Sequence, residues 1–302
     1  MTAVGRRGAL HVNGVELNYI EVGFGGRETV VLLHGGMGDL ESWTHQVRAL
    51  ADRHRVVTYS RRRSHPNRNR DIERDCFAEY VDDDIADLLA LKRALHAGRL
   101  HLVGTSYGAL LALELALRAP REVASLVLAE PPLLRWACAS ETGGLLFDAF
   151  MDVWGAAAAA FGAGLCGRAL KLLTEAMWGH PVFDCWPSDR VAAVTRNAGA
   201  MHALTRAQHP FPEIDRLRVQ ALRTPTLLVQ GALTSALHRL VMTELCRAMP
   251  DARRAEISLA GHASPSERPE YFSALVVAFL ESLSSRAGSR AAQCSVFKDP
   301  QS

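Results

Sequence analysis

A serine with a glycine two residues away on each side, Gly104-Thr105-Ser106-Tyr107-Gly108, is the first feature of this chain that could do chemistry. Leu100 to Val103 before it reads as a short buried strand, and Leu110 to Ala119 after it as a helix ended by Pro120. A strand that passes so quickly into a helix must turn through a strained backbone at its apex. Small residues two positions away let that turn close, which suits glycine. The apex hydroxyl then stands at a helix N-terminus, where free N–H groups and the helix dipole favour developing negative charge. A nucleophile whose reaction passes through an oxyanion needs that setting. At ordinary abundances chance supplies only about 0.1 such patterns in a chain of this length. A purely structural glycine turn is therefore the weaker explanation of Ser106.

A second glycine-rich segment, His34-Gly35-Gly36-Met37-Gly38, directly follows the apolar run Thr29 to Leu33. Acyl transfer needs backbone N–H donors aimed at the tetrahedral oxyanion, each worth about 10²–10³ in rate. The N–H groups of Gly36 and Tyr107 are the expected pair. Met37 and Trp43 are the expected substrate contacts beside them, although a core role suits Trp43 equally. The general base is expected to be a histidine, and the chain has twelve. His262, in Ala260-Gly261-His262-Ala263, lies just past an expected strand, Ala255 to Leu259, and ahead of the last helix. That places it at the sheet edge of Ser106. His101 falls in an expected buried strand and His34 in the oxyanion loop. His202, His209 and His238 fall in or just after the long stretch described next.

Loops that must meet at one edge need a scaffold. Val15 to Val22 alternates polar and apolar residues behind the hairpin signal Asn13-Gly14. Thr29 to Leu33, Arg55 to Ser60, Leu100 to Val103, Val123 to Ala129 and Thr226 to Val229 read as further strands. Helical patterns separate them at Glu41 to Ala51, Glu79 to Ala97, Leu110 to Ala119, Ser235 to Met249 and Glu270 to Leu283. This alternation implies a mostly parallel sheet with helices on both faces. The alternation breaks over residues 133–220, which carry no strand signal and are rich in Ala, Gly, Leu and aromatics. The expected division is a first core part (1–132), a helical cap or lid (133–220), a second core part (221–284) and a disordered tail (285–302). Inserted between strands, the cap would sit over their C-terminal ends, where open α/β sheets bind ligands.

Composition narrows the function. The 302 residues are 48% apolar, enough for a large core, and charges nearly balance at a net +2. Nothing there suggests a nucleic-acid partner. The one basic cluster, Arg61-Arg62-Arg63 with Arg68, Arg70 and Arg74, reads as a solvated loop, with attraction of an anionic substrate as the other reading. The six cysteines form no CxxC pair and no metal-type spacing with histidine. The first residues lack a signal-peptide stretch, and no segment of about 18 apolar residues runs free of charge. The expectation is a soluble, cytoplasmic protein with a small-molecule substrate and no membrane partner. A homo-oligomer is left open.

The serine turn, the glycine loop and the late histidine, in this order, resemble the α/β-hydrolase superfamily from about Val15 to Leu283. LVLAEPPLL (126–134) and AGHASPSERPE (260–270) resemble its cap-bearing esterase, lactonase, C–C hydrolase and perhydrolase branch. The resemblance implies an eight-stranded, mostly parallel sheet with the lid after strand 6, the chain order Ser, acid, His, and neither metal nor organic cofactor. That branch usually carries its acid in a Gly-x-x-Asp turn. Here the turn reads Gly231-Ala232-Leu233-Thr234, and a hydroxyl cannot stabilise an imidazolium as a carboxylate does. Glu130 offers the carboxylate one strand earlier, at the same edge, where some relatives place their acid. A carboxylate closing an apolar strand ahead of Pro131-Pro132 is hard to explain as solvated surface. The loop Tyr59-Ser60-Arg61-Arg62-Arg63 also departs from relatives that carry an aspartate and a glycine-rich turn there. The expected activity is serine hydrolysis of an ester, lactone or related carbonyl. A C–C hydrolase, a cofactor-free perhydrolase and a slow-turnover sensor on the same fold are the alternatives.

Overall fold

The computed structural model describes residues 5–23, 28–67, 80–207 and 209–295. Eight strands make one sheet in the order β1-β2-β4-β3-β5-β6-β7-β8. They are β1 (Arg6–Val12), β2 (Val15–Val22), β3 (Thr29–Leu33), β4 (Arg55–Tyr59), β5 (Leu100–Thr105), β6 (Val123–Ala129), β7 (Thr226–Gly231) and β8 (Arg253–Ile257). From β3 to β8 the strands run parallel, whereas β2 pairs antiparallel with both β1 and β4. Asn13 and Gly14 take φ values of 50° and 74°, the backbone of a two-residue hairpin turn, and set Val12 opposite Val15.

The helices are α1 (Thr44–Leu50), α2 (Tyr80–Ala94), α3 (Tyr107–Arg118), α4 (Glu141–Gly162), α5 (Cys166–Trp178), α6 (Ser188–Thr195), α7 (Ala198–Thr205), α8 (Arg216–Gln220), α9 (Ala236–Ala248), α10 (Ser264–Glu267) and α11 (Pro269–Ser295). The central strands are continuous apolar runs because both of their faces are covered. Val30 and Leu32 of β3 pack with Leu50 of α1 and with Phe272 and Val276 of α11. Val31 and Leu33 face the opposite layer, with Leu88 of α2, Leu110 of α3 and Val241 of α9. Between β6 and β7 the described residues hold only helical elements and connecting loops. Among the described helices, α4 is long and apolar enough to cross a membrane by length and composition. Its buried stripe of Phe150, Trp154, Ala157 and Phe161 packs instead in the same cluster as Leu170 and Leu173 of α5.

Three expectations change. β8 begins at Arg253 rather than Ala255 and stops at Ile257, because an edge strand tolerates the exposed Arg253 and Arg254 while Leu259 sits at φ 58° in a turn. The stretch 285–295, expected to be disordered, continues helix α11 to Ser295, since its Ala, Arg and Gln residues favour helix despite their polarity. Residues 296–302 lie outside the described residues.

The third change concerns Arg61-Arg62-Arg63. These arginines do not form a solvated loop. Arg61 is 1% exposed and pairs with the equally buried Asp84 at 3.2 Å. Arg62 grips Asp87 through two parallel bonds of 2.8 Å, and Arg63 pairs with Asp83 at 3.1 Å. The acids come from one helix, α2, where Asp83, Asp84 and Asp87 meet the three arginines. Buried charges survive only when paired in this way. Arg68, Arg70 and Arg74 lie outside the described residues. Arg62 also reaches Asp83 at 3.1 Å, so Asp87→Ala should remove its two-bond partner while leaving that weaker contact, and cost about 2 kcal/mol of stability. Urea denaturation measures this. Replacing the pair together, as Arg62→Met with Asp87→Leu, should recover most of the loss.

Candidate active site

Ser106 adopts φ 51° and ψ −122°, the strained apex that a direct passage from β5 into α3 demands. The glycines around it have no room for a side chain. A Cβ at Gly104 would strike the Gly108 backbone, and one at Gly108 would strike the Leu33 carbonyl. The Ser106 N–H donates to the Ala129 carbonyl at 2.7 Å, which pins the turn to the end of β6.

The residue after Ala129 is Glu130, with φ 46°, which swings its side chain beneath the ends of β6 and β7. It is 1% exposed. Its Oε1 accepts the Gly231 N–H at 2.8 Å. Its Oε2 accepts the Thr234 hydroxyl at 2.6 Å and stands 2.8 Å from His262 Nδ1. His262 Nε2 lies 3.0 Å from Ser106 Oγ. With a carboxylate at Nδ1, that nitrogen carries the ring proton and Nε2 is left as acceptor for the serine O–H. The structure thus brings Ser106, His262 and Glu130 into one hydrogen-bonded line. Thr234, in the turn where relatives place an aspartate, touches the same carboxylate oxygen that faces His262.

The glycine loop passes against this line. A methyl group on Gly35 would lie 3.5 Å from the Ser106 Cβ. Arg61 Nη2 donates to the Gly35 carbonyl at 3.2 Å and approaches the Gly36 carbonyl at 3.4 Å. A trans peptide points its C=O and N–H in opposite directions. Tying the Gly35 carbonyl to Arg61 therefore turns the Gly36 N–H away from that guanidinium. Tyr107, the first residue of α3, has no intrahelical acceptor for its own N–H. His34 braces the loop from behind. The Arg61 N–H donates to its Nε2 at 3.1 Å, so its Nδ1 carries the proton and donates to the Gly35 carbonyl at 2.8 Å. Complete burial, together with the neighbouring Arg61 charge, lowers the His34 pKa to about 3.

A cavity of about 270 Å³ opens above Ser106. Its walls are largely apolar: Met37, Phe150, Trp154, Trp178, Met201 and Phe211 are among them. Met37 and Trp43 both line it, and Trp43 also packs in the core with its ring centroid 6.1 Å from that of Phe272. Three of the histidines set aside in favour of His262 serve otherwise. His101 bonds Ser125 and Glu28, His202 stacks on Phe161, and His34 is the brace just described. His238, however, is buried with its ring centroid 4.3 Å from that of His262, a proximity the sequence order conceals. Arg61 was also hidden, although the acidic spacing of α2 was a usable signal for its partners. Among the described residues no group of three or more His, Cys, Asp or Glu side chains is placed to hold a metal ion.

A family model described as the alpha/beta hydrolase fold matches residues 28–173. The family match and the structural neighbours show that the chain has the alpha/beta hydrolase fold. The putative carbamate hydrolase RutD of Azorhizobium caulinodans is 28% identical over 256 residues, covering 84% of this chain and 92% of that protein. The carboxylesterase CesB from Bacillus subtilis superposes with a TM-score of 0.68 at 17% identity, covering 92% of each chain. Est816, an N-acyl homoserine lactone degrading enzyme, gives 0.68 at 21%, covering 90% of this chain and all of its own.

Two outcomes follow from this geometry. Glu130→Gln, which removes the negative charge facing His262 Nδ1, should lower kcat at least ~10³-fold if that line is catalytic, as triad logic requires. Thr234→Val, which removes one of three contacts to that carboxylate but leaves its charge beside His262, should cost less than ~10-fold. Adding Thr234→Asp to Glu130→Gln should restore part of the rate, as steady-state kinetics would show. The second outcome is a pH dependence. The unfolded chain binds a proton at His34 below pH 6.5 that the folded protein refuses until about 3. Stability therefore falls as pH drops through that window. Buried His238, its pKa also lowered well below the usual value, adds a contribution of the same sign. The urea midpoint should fall between pH 7 and 5, and less steeply in His34→Gln.

Proposed function

We propose that this chain is a serine hydrolase that cleaves an ester, lactone or related carbonyl bond of a small to medium hydrophobic substrate through an acyl-enzyme. The observation that carries the reading is the line Ser106 Oγ to His262 Nε2 to Glu130, with contacts of 3.0 and 2.8 Å. His262 takes the Ser106 proton as Oγ attacks the carbonyl carbon, and Glu130 stabilises the imidazolium that forms. The Gly36 and Tyr107 N–H groups hold the oxyanion. The imidazolium then protonates the leaving group, and the acyl chain remains on Ser106. A water, deprotonated by His262, attacks the acyl-enzyme and returns the serine. Residues 133–220 serve as the cap, placing aromatic side chains over the serine and keeping bulk water out of the cavity.

The full-length relative named a putative carbamate hydrolase supports including carbamates, whose carbonyl is attacked in the same way. The carboxylesterase and lactone-degrading neighbours share the fold and support testing esters and lactones beside carbamates. Unpaired thiols at Cys138, Cys166, Cys185 and Cys246 fit a reducing, cytoplasmic setting.

A fluorophosphonate probe should label the wild-type protein and not Ser106→Ala. Equal labelling of both would remove Ser106 from the mechanism. Turnover of p-nitrophenyl butyrate should separate an enzyme from a sensor on the same fold.

A further inference from the structure

The cavity wall carries a cation with little to hold. Arg190, on α6, is the one Lys or Arg side chain among the described residues lining the cavity. Its guanidinium lies 3.9 Å over the Trp186 ring and 5.7 Å from that of Trp178, and Trp178 in turn sits 5.6 Å from the His262 ring. A guanidinium has five N–H donors. Among the described residues, the Arg190 guanidinium makes one hydrogen bond, to Glu267 Oε1 at 3.3 Å. Glu267 is already shared. The same Oε1 accepts the Trp178 Nε1–H at 2.7 Å, and Oε2 accepts the Gly261 N–H at 2.6 Å. Asp39, the one carboxylate among the described residues lining the cavity, is likewise committed elsewhere, to Arg196, Asn197 and the Glu41 N–H. Burial works against the Arg190 charge, lowering its pKa despite Glu267.

A merely structural arginine would be expected to spend its fork on protein acceptors. This one is stacked on tryptophan, with most of its donors unspent, beside an otherwise apolar chamber. We infer that Arg190 is a specificity-determining residue that binds a carboxylate of the substrate, remote from the bond that is cleaved. The substrate class is then an amphipathic organic monoanion, an ester, lactone or carbamate whose apolar body fills the aromatic chamber and whose carboxylate reaches Arg190. A single cation, part-neutralised by Glu267, suits one negative charge better than a phosphate dianion. The planar fork matches a carboxylate, and the tryptophan faces hold it flat. This inference rests on the serine-hydrolase reading for the reaction, but not for the binding.

The test compares p-nitrophenyl hydrogen adipate with p-nitrophenyl hexanoate, two esters of equal chain length that differ by the terminal carboxylate. Arg190→Gln should lower kcat/KM for the adipate about 10- to 100-fold more than for the hexanoate, and Arg190→Lys should retain part of the preference. Equal losses on the two esters would overturn the proposal. A second arm needs no turnover. By calorimetry, Ser106→Ala should bind 4-phenylbutyrate at least about 10-fold tighter than 4-phenylbutyramide, and Ser106→Ala/Arg190→Gln should lose the difference. Equal binding of acid and amide to Ser106→Ala would overturn it as well. Selective carboxylate binding without hydrolysis of either ester would instead retain the anion site and remove the hydrolase reading. Thermal melting of each variant checks that the fold is intact.

Discussion

A carboxylate buried at the end of β6 must be satisfied on both oxygens or it would destabilise everything around it. Glu130 meets that condition through neighbours from two other strand ends: Gly231, the last residue of β7, with Thr234 in the turn after it, and His262 after β8. The same group therefore knits the C-terminal ends of three adjacent strands together. Ser106 is tied into this edge by its N–H bond to Ala129, the residue just before Glu130. The strained φ values of Ser106 and Glu130 are held by these bonds, and relaxing either would cost partners on neighbouring strands. The rest of the candidate site is built outward from this carboxylate.

The glycine loop rests on a second set of buried charges. Arg61 is fixed by Asp84 below and by the Gly35 and Gly36 carbonyls above. Its guanidinium also lies 4.5 Å over the ring of Tyr107, whose backbone N–H is the second expected oxyanion donor. One ion pair thereby holds the peptide plane of the Gly36 N–H on one side and the Tyr107 ring on the other. Neutral His34 completes the brace without adding a second positive charge beside Arg61.

The helices between β6 and β7 meet the core through a third polar contact. Asp39, at the end of the glycine loop, accepts from Arg196 and Asn197, and Asn197 also accepts the His65 N–H. Burial and these donors act in opposite directions on Asp39, and the donors hold its pKa below the usual value. The helical insertion is thus fastened to the loop that carries Gly36. Met201 of α7 lies where a side chain on Gly36 would fall, so the cavity wall and the glycine loop are in direct contact.

Local sequence determined a good deal. A glycine-flanked serine between a strand and a helix leaves little choice of backbone, and apolar runs of strand length define a parallel sheet, because both constraints act over a few residues. Glu130 was legible for a similar reason: an acid closing an apolar strand needs a buried partner. Thr234 showed only that the usual position was vacant, and the tertiary structure made it a ligand of the same carboxylate. Arg61 read as solvated because a charge run gives no sign of burial until Asp83, Asp84 and Asp87 are brought against it from a separate helix. Arg190 and His238 gave no local signal at all. Their surroundings consist of side chains distant in sequence, and the burial that defines their chemistry exists only once the helices are packed over the sheet.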